Sequence, residues 1–468
     1  MTDLVYGTAR SNITPQYPIA MGGFGQRAQK ESIGVHDSLF VKSLFLSREG
    51  QRLLWITADL VCIPTGLAQQ VEAALANEGL KADEICLCAS HTHSGPEVME
   101  YFVQTQAVKE YSEFLVQAFT EVGKAALRQT RPARLKIGSG SVDFLLNRRT
   151  RGHPNIVDPR VFVLLVEDQP ALKPRVALFG AGVHPVTLGH DNFLISADFP
   201  GYTQRLLEEK LELENALFFN MAEGNVIPNT RQPYDSLDTR GYIGGTFQDA
   251  EKIGSALADE VLQIVKNAAY SHTPRLAVQR VTPEVRPSRF DLDVYVTQHQ
   301  LKVSQMIIAE YLGDDFSKFT PQDLSPLSTL WADASNEVIC RGMPEDEMRR
   351  LMSAVCNYFV LLEKLFNPIQ QKPIPLPVQI IMVDEYRFLA LPGEILVEVS
   401  QEWQQRNGDR ADKAFVISLA NGFMGYLPHR KNFLEPEAPF KYETLMNALE
   451  PAAMEIAVEK ACQLIQEN

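Results

Sequence analysis

The chain has 468 residues, 45% of them hydrophobic and 22% charged, an ordinary globular composition with no sign of disorder, a collagen repeat or a coiled coil. Its formal net charge of -14 argues against a nucleic-acid partner, because phosphate contacts would have to supply most of that affinity. No apolar run approaches the roughly 18 residues of a membrane span.

The start, Met1-Thr-Asp-Leu-Val-Tyr-Gly, lacks the charged and apolar regions of a signal peptide. The six cysteines show no secreted-domain framework. A cytoplasmic protein acting on a small-molecule substrate is the expectation; oligomeric state is left open.

In chain order, Gly22-Gly-Phe-Gly25 has no hydrophobic strand before it and reads as a loop. A buried strand is expected over 53–58 and a helix over 65–75. The next strand covers 84–90 and holds Cys86 and Cys88 as small buried thiols. A helix with apolar residues three and four apart follows over 111–128. Strands over 175–183 and 216–221 precede an amphipathic helix over 246–268.

From about 295 to 367 the pattern is helical only, broken at Pro321, Pro326 and Pro344. Strand patterns resume over 378–383, 386–391 and 414–419, a helical run opens at Glu394, and 442–466 is helical. This alternation predicts an α/β fold with a mixed or parallel β-sheet core covered by helices. One catalytic domain over 1–468 is expected, with the 295–367 stretch as a helical insertion.

The polar residues that matter stand just after strands, where ligands bind in open α/β sheets. His91 and His93 follow the strand over 84–90 and, two residues apart in extended chain, point to one side. A lone His-x-His is equally a surface loop or a satisfied core pair. His184, the loop Glu223-Gly-Asn-Val-Ile-Pro-Asn229, Glu394 and Tyr426 occupy corresponding positions after four further strands.

Glu394 alone would also fit a helix start, complementing the macrodipole. His36 is structural or supports the site; His190 and Asp191 form a polar turn. His153, His272, His299 and His429 read as surface residues.

Two imidazoles and a carboxylate, His91, His184 and Glu394, make a zinc set with an open position for water. Zinc-activated water suits amide or ester hydrolysis, and His93 stands where a proton shuttle is needed. No nucleophile elbow, P-loop or dinucleotide fingerprint competes with this set.

These segments resemble the N-terminal catalytic domain of the neutral/alkaline non-lysosomal ceramidases. The resemblance is carried by Ala89-Ser-His-Thr-His-Ser-Gly-Pro96, Gly182-Val-His-Pro185, Gly224-Asn-Val-Ile-Pro-Asn229, Leu391-Pro-Gly-Glu394 and Asn421-Gly-Phe-Met-Gly-Tyr426, in the family's order. It implies an amidohydrolase with Zn2+ held by His91, His184, Glu394 and Tyr426, and with His93 beside the water. It further implies Tyr442 as support for the oxyanion, and Arg149 and Asn225 near the substrate.

Ile227 stands where the family has a serine, and Asn225 where it has an aspartate. A serine nucleophile is therefore excluded at position 227, whereas attack by zinc-activated water is not. Family members that cleave ceramide are exported and carry a C-terminal immunoglobulin-like domain; neither feature is expected here, so the substrate stays open. The alternatives are a zinc esterase or deacylase on a small polar substrate, and a metal-binding protein without catalysis.

Overall fold

The computed structural model describes residues 4–287 and 372–466, with isolated residues between 302 and 310. Short gaps fall at 25–26, 28–29, 100–104, 149–154, 170, 231–244, 272–273, 435–441 and 446. The expected helical insertion thus lies almost wholly outside the described residues.

Two sheets make the core. The first has nine strands, and its main path runs Asn215–Asn220, Pro174–Ala181, Arg160–Asp168, Arg131–Ser141, Val5–Asn12, Phe40–Arg48, Gln51–Ala58 and Ile85–Ala89. The end pairs are parallel and the interior pairs antiparallel, so the sheet is mixed. The second runs Leu276–Val281, Val378–Val383, Tyr386–Ala390 and Ala414–Ile417, with the last pair parallel.

The side-chain alternation of a strand decides what each face covers. In Arg160–Asp168, Phe162, Leu164 and Val166 join the second sheet's Phe388 and Phe415, while Val161, Val163 and Leu165 meet the helices Asp198–Lys210 and Phe247–Asn267. In Gln51–Ala58, Trp55 faces the second sheet, and Leu54 and Ile56 face the helices Thr65–Ala76 and Gln106–Arg128. The helices Val397–Arg406 and Ala453–Gln466 cover the second sheet through Trp403, Met454 and Val458.

Between the sheets, Phe388 meets Phe162 edge-on at 4.8 Å and Trp55 at 5.8 Å. Such pairs contribute about 0.5–1.5 kcal/mol each beyond burial. No helix among the described residues is long and apolar enough to cross a membrane.

The expected mixed β-sheet core covered by helices is present, and it is built as two stacked sheets. The expected C-terminal helix is interrupted, into Tyr442–Leu445 and Ala453–Gln466. Pro451 has no N–H to continue the first helix. The Asn447 side chain closes a turn, accepting from the Leu449 N–H at 3.1 Å.

Two asparagines tie the sheet ends together. Asn220 accepts from the Val183 N–H at 3.2 Å and donates to the Ser90 carbonyl at 3.1 Å. The first sheet thereby curls until its two end strands lie together, next to His91 and His184. Asn421 donates its backbone N–H to the Leu87 carbonyl at 2.8 Å, and its side chain accepts from the Leu87 N–H at 2.9 Å. The exposed edge of Ile85–Ala89 is closed by these bonds, and the second sheet is held to the first.

Candidate metal centre

His91 leaves its strand in a left-handed conformation, with φ of 74°, and its N–H donates to the Leu60 carbonyl at 2.9 Å. Its Nδ1 lies 2.5 Å from the Val61 carbonyl oxygen. His184, just past Pro174–Ala181, places Nδ1 2.7 Å from the Glu223 carbonyl oxygen. A carbonyl can only accept, so in both neutral rings Nδ1 carries the proton and Nε2 presents a lone pair.

Those two lone pairs meet a carboxylate. Glu394 Oε2 is 3.2 Å from His184 Nε2 and 3.5 Å from His91 Nε2. Despite these separations, His184 Nε2 and Glu394 Oε2 are buried without a hydrogen-bond partner. His184 Nε2 and Glu394 Oε2, two acceptors with no donor between them, repel unless a cation sits among them. Anchoring of the remote ring nitrogen is the usual support of a metal-ligating histidine. The residues present fit a divalent metal ion.

Glu394 gets there by a close backbone approach. A Cβ at Gly393 would lie 2.3 Å from the Gly425 carbonyl oxygen, so only glycine admits this crossing. Glu394–Ile395 then pairs in parallel with Tyr426–Leu427, which sets Tyr426 beside Glu394. The following helix begins only at Val397, so Glu394 is not its first-turn acid and the macrodipole explanation drops out.

His93 faces the same space. Its Nε2 is 3.2 Å from His91 Nε2, and its Nδ1 is buried without a partner. Burial first, and then His91 and His184, hold the His93 pKa well below the usual histidine value. Burial and then Arg148 bring His184 down to about 4. Both rings are uncharged at neutral pH, as ligation or proton acceptance requires.

The glycine loop near the start is the floor under His93. Gly23 has φ of 91°, and a Cβ there would lie 2.6 Å from His93 Cγ. The Phe24 ring stacks edge-on at 4.7 Å. Arg27, which the sequence did not single out, is buried and donates to the carbonyls of Gly22, His93, Gly189 and His190. Gly23→Ala is expected to cost about 1–3 kcal/mol of stability. Hydrolytic activity should fall further than the lost folded fraction explains; activity that only tracks the folded fraction would remove this loop from the site.

Arg148 sits on the other side. It donates to the Gly224 carbonyl at 2.8 Å, to the Tyr426 hydroxyl at 3.1 Å and to Glu443 at 3.1 Å. Burial opposes its charge, but Tyr426, Glu443 and Glu394 outweigh burial and raise its pKa. Its neighbour Arg149 lies outside the described residues. Tyr442 opens the helix Tyr442–Leu445 beside Glu443, and its side chain is likewise outside them.

Asn225 is buried, and both ends of its amide are engaged within the protein. It accepts from the Val397 N–H at 3.0 Å and donates to Glu398 at 3.1 Å. Ile227 is buried in a short strand paired with Leu145–Asn147.

One expectation about another residue changes. His429, expected on the surface, is buried, with Nε2 2.9 Å from Glu402 Oε2. The hydrogen bond to Glu402 gives the buried ring a partner. His36 pairs with Asp37 at 2.9 Å and stacks on Phe247 at 3.7 Å. His153, His272 and His299 lie outside the described residues. Cys86 and Cys88 are buried free thiols, as expected.

The profile of the neutral/alkaline non-lysosomal ceramidases, N-terminal, matches residues 5–241, just over half of the chain. The chain belongs to this family. Among curated relatives of this ceramidase-family chain, neutral ceramidase A of Dictyostelium discoideum is 22% identical over 454 residues, 83% of this chain and 62% of that protein. The neutral ceramidase of Pseudomonas aeruginosa is 26% identical over 289 residues, 55% of this chain and 43% of that protein. The chain thus spans less than two thirds of the length of either.

The crystal structure of the neutral ceramidase from Pseudomonas aeruginosa superposes on the whole chain and on 75% of its own, with a TM-score of 0.70 at 19% identity. A structure titled "Ceramidase complexed with C2" gives 0.68 at 17% identity. At these identities the likeness concerns the fold: a mixed-sheet α/β core covered by helices.

Proposed function

We propose that this ceramidase-family chain is a metal-dependent hydrolase cleaving the C–N bond of an N-acyl amide, with zinc as its ion. The observation that carries the reading is the facing set of His91 Nε2, His184 Nε2 and Glu394 Oε2, of which the last two are buried without a hydrogen-bond partner. A zinc ion, when bound, polarises a carbonyl and lowers the pKa of water to about 7.

The protein's own groups would do the rest. His91 and His184 are fixed by the Val61 and Glu223 carbonyls, so the donor set is preorganised. Uncharged His93 would take a proton from the attacking water at Nε2 and return it to the leaving nitrogen. Tyr426, beside Glu394, would complete the donor set, with the Arg148 guanidinium against its oxygen. Tyr442 would support the oxyanion, a role of the kind worth about 3 kcal/mol. Ile227 offers no hydroxyl, so a protein alcohol at that position takes no part.

A cytoplasmic location belongs to the same reading and is supported by the free thiols of Cys62, Cys86, Cys88 and Cys462. The test compares matched N-acyl amides and esters on protein as purified, after chelation, and after zinc is restored. Amide turnover that is lost on chelation and regained with zinc is the expected result. Turnover of esters alone would shift the reading to an esterase or deacylase, and turnover of neither to a metal-binding protein.

A further inference from the structure

The loop after Asn215–Asn220 brings a second carboxylate to the same place, one that the residue spacing did not reveal. Glu223 is fully buried. Its backbone carbonyl anchors His184 Nδ1, yet both oxygens of its side chain lack a hydrogen-bond partner. The nearby Ser418 hydroxyl gives its one proton to the Met221 carbonyl, at 2.5 Å. One Glu223 oxygen lies with ligand atoms of His91 and Glu394 in a group whose members are all within 4.8 Å of one another.

A buried carboxylate with no partner is costly, and two of them together more so. Arg148 attracts Glu223 from nearby but gives it no hydrogen bond, its donors going to Gly224, Tyr426 and Glu443. A divalent cation would neutralise both carboxylates at once, at ligand distances of about 2.0–2.2 Å.

We propose that Glu223 is an additional ligand of the metal ion, so that two carboxylates and two imidazoles face it. The inference rests on the metal-site reading above. Its consequence is selectivity: imidazoles suit zinc, and each added carboxylate suits manganese better. This site should therefore bind Mn2+ more strongly than one carboxylate would allow.

The test strips the full-length protein of metal and titrates Zn2+ alone and Mn2+ alone against a chromophoric chelator. Wild type, Glu223→Gln, Glu223→Asp and His184→Ala are compared, with a thermal melt of each form. Glu223→Gln should melt no lower than wild type when metal-free, bind zinc about tenfold more weakly, and lose more of its manganese affinity than of its zinc affinity. The rise in melting temperature on adding metal should shrink accordingly. Glu223→Asp keeps the charge with a shorter reach and should fall between.

Unchanged affinity for both ions in Glu223→Gln, with binding lost in His184→Ala, overturns the Glu223 assignment and leaves the site standing. Wild type that takes up neither ion overturns both. If the glutamine variant does not fold, the aspartate variant decides by the same affinities.

Discussion

His184→Ala and Glu394→Gln are each expected to purify without bound metal and without hydrolytic activity, while wild type carries about one zinc per chain, the content of a three- or four-ligand site. Glu394→Gln is the sharper variant. It keeps the shape of the side chain and the pairing of Glu394–Ile395 with Tyr426–Leu427, and removes only the charge. Metal should therefore be lost with little loss of fold, which elemental analysis beside a thermal melt of the metal-free proteins would show. In His184→Ala the Glu223 carbonyl also loses its imidazole donor, so some stability should go with the metal. Retained zinc stoichiometry in both variants would sink the ligand assignment.

Arg148→Met should be the most destabilising single change near the site. Its guanidinium is buried among the Gly224 carbonyl, the Tyr426 hydroxyl and the Glu443 carboxylate. Removing one partner of a buried ion pair leaves the other charge uncompensated, at a cost of about 3–5 kcal/mol. Urea unfolding of the metal-free protein measures this directly. Adding Glu443→Leu should restore much of the loss, because the stranded carboxylate goes too. A single variant within about 0.5 kcal/mol of wild type would mean that the pair is solvated.

What the sequence disclosed followed from how each element is buried. Val378–Val383 and Ile85–Ala89 are covered on both faces, so they read as continuous apolar runs. Arg131–Ser141 is a strand that carries Pro132, Gly138 and Gly140, residues that look like breakers in sequence. Those glycines are where the helix Phe247–Asn267 lies against the sheet.

The stacking of two sheets was hidden for another reason. A strand facing a sheet and a strand facing a helix carry the same apolar alternation. At the site, His91, His184 and Glu394 could be found because each follows a legible strand. Arg27 could not, and Glu223 was legible only as part of the loop after 216–221. Arg27 acts through carbonyls up to 163 positions away, and Glu223 stands in a glycine loop with no ligand spacing around it. Arg148 was one residue from Arg149, the position to which the family resemblance pointed.

Because the proposed ligands come from both sheets, the order of synthesis bears on assembly. Both histidines are in the first 184 residues, but Glu394 and Tyr426 emerge much later. The neighbouring strands Leu276–Val281 and Val378–Val383 are separated by nearly a hundred residues. Until the later strand is made, the inner face formed by Trp55, Phe162 and Phe219 has nothing to cover it. A nascent chain can hold two imidazoles and Glu223 but neither Glu394 nor Tyr426, so the complete ion cage would mark a chain whose layers have already closed.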